Sequence, residues 1–156
     1  MHLRFILASL LLAGLAAALV YAGTSRIDAM PHTPISVDGE VHCVRLAATA
    51  DHRAAGFQHV PAERMDREAI LFTYDRPRRA NYHMRNVAKP LQLAWIAHGG
   101  EVLRVITMQP GKSGYRSPQP VAAVLEFTRA HPLAQAVRAG TRIQIEPKEA
   151  AAAGCA

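Results

Sequence analysis

Asn81-Tyr-His-Met-Arg-Asn86, Pro90-Leu-Gln-Leu-Ala-Trp-Ile-Ala97, His98-Gly-Gly100 and Glu101-Val-Leu-Arg-Val-Ile-Thr-Met108 decide the fold class. Apolar and β-branched residues fill the two long runs, and His98-Gly99-Gly100 supplies the turn between them, since glycine reaches positive φ without strain. The stretch predicts three strands of an antiparallel sheet, with Pro90 as a loop exit between the first two.

Outward from it the same pattern repeats. Toward the N-terminus, Ala69–Tyr74 predicts a buried strand, followed by a basic loop at Asp75–Arg79 where Pro77 prevents a continuous ladder. Val41–Leu46 predicts a strand, and Ile35–Asp38 a short edge strand closed by the Asp38-Gly39 turn. Between these, Ala50–Gly56 predicts one or two helical turns capped by Gly56, and Pro61 opens another through Met65. Toward the C-terminus, Gln109–Pro120 reads as a long loop and Val121–Phe127 as a strand. Arg129–Arg138 reads as a helix ended by Gly140, and Thr141–Glu146 as a closing strand. Seven or eight short strands with few helices predict a mainly β domain, a small antiparallel sandwich or barrel.

The 156 residues suffice for one such domain plus a targeting segment. Met1–Ala22 carries an uncharged apolar run from Phe5 to Ala22, an N-terminal hydrophobic helix with two competing fates. It is a secretory signal cleaved before Gly23, or an uncleaved membrane anchor. Either places the domain in the periplasm or on the outer face of the cytoplasmic membrane. Residues 23–40 read as linker and edge strand, 41–146 as the β domain, and 147–156 as a flexible tail. The net charge of +6 comes from scattered arginines, without a basic stripe of interleaved aromatics. A nucleic-acid partner is therefore not expected; a membrane surface, a membrane complex or a polar or anionic small ligand is. In an exported domain the two cysteines, Cys43 and Cys155, are permitted to pair; two free thiols are the alternative.

Familiar catalytic motifs are absent. Pro110-Gly-Lys-Ser113 lacks the earlier glycine of a phosphate loop, with Ile106 in its place, and no nucleophile elbow or zinc-protease motif occurs. No cofactor is expected. Cys43, His83 and Met84 are chemically suited to copper, although adjacent strand residues face opposite ways. Glu126, inside the apolar run Val124-Leu-Glu-Phe127, is either solvent-facing or held in a groove by Arg53, Arg85 or Arg104.

Arg53-x-x-Gly56, Ile70-Leu-Phe72, Tyr82-His-Met-Arg-Asn86, Pro90-Leu-Gln-Leu93, Trp95-Ile96, Gly100 and Leu125-Glu126 stand in an order that resembles the family domain of unknown function one-nine-two. His83, Arg85 and Gln92 replace that family's tryptophan, lysine and aspartate, so the chain resembles a divergent member. The resemblance implies a jelly-roll-like β sandwich behind a signal peptide, and no activity. A groove lined by Arg53, His83, Arg85, Asn86, Gln92, Trp95 and Glu126 is expected to serve a binding or accessory module for an anionic or polar ligand. Competing readings are a hydrolase using His83 as base, copper handling, and a subunit of a membrane complex.

Overall fold

A computed structural model describes residues 26–146 and Cys155. Residues 1–25, on which the expected signal or anchor falls, and the remainder of the expected tail lie outside the described residues. The chain runs through a 3-10 turn at Arg26–Ala29, then β1 (His32–Val37), β2 (Glu40–Ala47), α1 (Ala50–Ala55), α2 (Ala62–Met65) and β3 (Ala69–Arg78). It continues with β4 (Asn81–His83), β5 (Leu91–Ile96), β6 (Val102–Met108), β7 (Ser113–Arg116), β8 (Val121–Phe127), α3 (Leu133–Ala136) and β9 (Ile143–Ile145). Seven strands form one sheet in the order β6-β5-β8-β3-β2-β1-β9, and β4 and β7 form a separate ribbon.

The molecule is mainly β, as expected, but its sheet is mixed. β2 and β3 run parallel, pairing Arg45 with Ile70 and Ala47 with Phe72. Parallel neighbours need a long crossover, and the two helices between Ala48 and Glu68 provide it. The expected antiparallel, jelly-roll-like sandwich included short helices but not the parallel pair that they connect. The sheet is not a closed barrel either: its edge strands β6 and β9 meet only at one corner, through the Glu101–Arg142 bridge.

Several expected elements differ: β3 runs through the expected Asp75–Arg79 loop as far as Arg78, and the expected Arg129–Arg138 helix is only Leu133–Ala136. Asn81–Asn86 does not join the main sheet; only its first half is a strand, paired with a segment of the expected 109–120 loop. Ile35–Asp38 is no edge, because β9 pairs beyond it. The expected linker belongs to the domain, with Ile27 and Met30 fully buried. Pro77 does interrupt pairing as expected: the β3–β8 register breaks between Thr73 and Arg78.

Strand alternation divides the interior in two. Ile70, Phe72, Leu93, Trp95 and Val124 face a core with Phe57, Met65 and Met84. Leu71, Ala94, Ile96, Leu125 and Phe127 face another with Leu133, Val137 and Ile143. The central strands are therefore apolar on both faces, which explains their uninterrupted hydrophobic sequences. Glu126 shares the face of Phe72 and Trp95, level with Ile70 on one side and Leu93 on the other.

The corner where β6 approaches β9 depends on Gly100. Its φ is +84°, its carbonyl accepts from Ile143 N–H at 2.8 Å, and a Cβ there would collide with the Ile143 carbonyl oxygen. Positive φ and backbone overlap together predict that Gly100→Ala destabilises the domain by about 3 kcal/mol. Urea unfolding measures this; an unchanged midpoint would show that the corner does not constrain the fold.

Candidate functional site

On the Phe72 face the sheet is incompletely covered. A cleft of about 290 Å³ opens between the end of α1, the end of β3 and the β4 ribbon. Its inner surface includes Phe57, Phe72, Met84 and Leu91, and Glu126 stands among them.

Glu126 is only 4% exposed. Among the described residues no hydrogen bond or ion pair holds its carboxyl group, yet its oxygens are not sealed from the cleft. Desolvation alone pushes its pKa up to about 8. Neither expected alternative holds: Glu126 is not solvent-facing, and none of Arg53, Arg85 and Arg104 pairs with it. Arg53 donates instead to the Ala48 carbonyl and, at 3.1 Å, to that of Thr73. Arg104 is exposed on β6, opposite Trp95.

Two tyrosines frame the carboxyl. The Tyr74 and Tyr82 hydroxyls are 2.7 Å apart. Burial raises both pKa values, Tyr82's well above its ordinary value, and a charge on Glu126 adds to the rise in each. Both phenols therefore remain neutral. Tyr82 is fixed by edge-on contacts with Phe72 and Trp95, at 5.2 and 5.7 Å between ring centroids. The guanidinium groups of Arg53 and Arg78 stand over the Tyr74 ring, 5.8 and 5.5 Å from its centroid. No carboxylate pairs with either arginine among the described residues. Arg76 and Arg79 extend this basic rim into an adjoining groove whose lining also includes Asp75.

Gly56 leaves the space before the carboxyl open. It caps α1 with φ 48° and ψ −137°, a conformation suited to glycine. A Cβ there would lie 3.5 Å from Phe72 and 3.9 Å from Glu126 Oε2.

Of the expected groove residues, Arg53, His83 and Glu126 do line the cleft. His83 Nδ1 accepts from Arg85 N–H at 3.3 Å, and its Nε2 has no bonding partner. Asn86 contributes indirectly, donating at 3.5 Å to Gln58, which lines the cleft. Arg85 is exposed outside it. Gln92 belongs to another depression, where it donates to Thr107 at 3.0 Å. Trp95 is 1% exposed and acts as backing for Tyr82 rather than as a ligand platform. Tyr74, Tyr82 and Arg78 were missed; the 75–79 run showed only as a basic loop.

The copper set does not assemble. Cys43 is bonded to Cys155, Met84 is fully buried and His83 is exposed. Among the described residues no cluster of three or more His, Cys, Asp or Glu side chains could hold a metal ion.

Fold and site together define a small mixed-sheet β domain with an arginine-rimmed cleft over a buried acid. The chain belongs to the family DUF192 (domain of unknown function one-nine-two), described as "Uncharacterized ACR", whose model matches residues 33–145. A crystal structure of a protein of unknown function from Novosphingobium aromaticivorans is similar, with a TM-score of 0.60 and 24% identity, over 72% of this chain and 84% of that one. A Sinorhizobium meliloti protein described as a candidate transcription regulator has a TM-score of 0.64 and 22% identity, over 74% of this chain and 95% of that one. At such identities the likeness concerns the fold alone. No curated protein matches the chain.

Proposed function

We propose that this protein is an exported binding or accessory module whose cleft takes a small polar or anionic ligand. The observation that carries the reading is the cleft's charge: two guanidinium groups without counterions over a pocket whose buried acid is also unpaired. A ligand with acceptor oxygens would satisfy groups that the protein leaves unsatisfied. The volume, about 290 Å³, suits a small molecule. Export is supported by the Cys43–Cys155 bond, which persists in oxidising compartments. It is also supported by the apolar Phe5–Ala22 run, as a cleaved signal or an anchor to a membrane complex.

A hydrolase is less well supported. His83 has an open Nε2, but among the described residues no serine, threonine or cysteine lines the cleft, and Arg85 does not line it as an oxyanion donor would.

Native mass spectrometry of protein from an exporting host reports processing and any co-purifying ligand together. Titration with glucuronate and with sulfate then tests the cleft. Both are expected to bind wild type, and Arg78→Glu to weaken them at least about tenfold, the effect of losing one charge-assisted contact. Binding that is indifferent to Arg78 would overturn the assignment.

A further inference from the structure

We infer that Glu126 binds as a neutral acid, donating its carboxyl proton to a ligand oxyanion (carboxylate or sulfate-like) that Arg53 and Arg78 hold at the cleft mouth. This rests on the cleft being the binding site and specifies what it recognises. Glu126 shares the cleft with charged and polar groups from three elements and is flanked by a fourth. From α1 comes Arg53, from β3 Tyr74 and Arg78, and from the β4 ribbon Tyr82 and His83; opposite it on β5 stands apolar Leu93. None is a carboxylate. The two phenols bond each other, which leaves one hydroxyl hydrogen of the pair to donate outward. The Gln58 carbonyl already accepts from Asn86. With Glu126 neutral, the cleft therefore presents mainly donors, matched to a ligand of acceptors.

The rival occupant is an amine pairing with ionised Glu126 against the aromatic walls. The geometry disfavours it. Arg53 and Arg78 already occupy the Tyr74 ring, so a cation would enter past two positive charges. Ionised Glu126 would also lie in a desolvated position without a hydrogen-bond donor. An oxyanion meets attraction at the mouth and a proton at the base. Burial holds Glu126 protonated through neutral pH, with the midpoint at about 8. Above that, its charge would repel the ligand.

The test is calorimetric titration of glucuronate and sulfate, whose charges are constant between about pH 7 and about pH 9. The wild-type Kd is expected to rise about tenfold across that interval, following the loss of the protonated form. Glu126→Gln keeps a donor that cannot ionise, so its affinity at about pH 7 stays within about threefold of wild type and the rise disappears. Glu126→Leu, with no donor, binds about tenfold more weakly at both ends. Affinity that increases with pH, or a rise that survives in the glutamine variant, overturns the inference while leaving the cleft assignment intact. Failure of either probe to bind in an Arg78-dependent way overturns the cleft assignment itself, and the inference with it.

Discussion

Reducing the Cys43–Cys155 bond is expected to lower the domain's stability by about 4 kcal/mol, because the bond closes a loop with a sequence separation of 112 residues. Long loops lose the most denatured-state entropy on cross-linking. The attachment point amplifies it. Cys43 lies opposite Pro34 in the β1–β2 ladder, and Glu146, after β9, donates to the Pro34 carbonyl at 2.9 Å. The bond therefore secures the chain just beyond a three-residue strand that pairs with β1 through only three positions. Wild type in reductant and the Cys43→Ser/Cys155→Ser double variant should both melt on the order of 10 °C lower than the oxidised protein. Two titratable thiols in unfolded, unreduced protein from an exporting host would overturn the prediction, since the bond would then not form where it is proposed to act.

How much of this was legible depends on the range of the interaction. Val121–Phe127 was read with its observed bounds, and Leu91–Ala97 to within a residue, because a doubly buried strand announces itself as an apolar run. Asp38-Gly39 was equally plain: the observed φ values of 49° and 94° are those such a dipeptide tolerates. The β2–β3 parallel pair was not legible. It joins residues more than twenty positions apart through two short helices whose periodicity says nothing about where they deliver the chain. The β4–β7 ribbon failed for a related reason: Ser113–Arg116 contains glycine and sits among prolines, and its pairing partner, not its propensity, makes it a strand. In the site, motif position points to seven residues, of which Arg53, His83 and Glu126 line the cleft. Trp95 failed as a lining residue because strand alternation shows which residues share a face, not which faces are covered. Tyr74 and Tyr82 touch only because the chain doubles back between β3 and β4.

Replacing Glu126 by glutamine is expected to stabilise the folded domain at about pH 8 by about 3 to 4 kcal/mol. The sign follows from proton counting. In the unfolded chain the carboxyl ionises near its ordinary 4.5; in the folded protein it holds its proton up to about 8. Between those values the native state binds more protons, so raising the pH disfavours folding. The slope approaches about 1.4 kcal/mol per pH unit, and the whole separation corresponds to roughly 5 kcal/mol. Glutamine has nearly the same shape and the same buried polar burden as the neutral acid, but no proton to lose. The difference between the two proteins should thus be small at about pH 5 and widen steadily toward pH 8. Other groups are separable. Burial lowers the pKa values of His32 and His131, so their contributions change only below their ordinary 6.5. Asp66, held by Lys89 and Thr128, is depressed and acts at lower pH still. The decisive window is therefore about 6.5 to 8, where Glu126 dominates. Urea unfolding of both proteins across it provides the measurement, and parallel profiles would show that the carboxyl is not desolvated as its position implies. The expected divergence has a functional meaning. An unpartnered acid inside an apolar strand weakens the fold at neutral pH. Its energetic disadvantage would be offset when a ligand accepts its proton's hydrogen bond, which is the role proposed for it here.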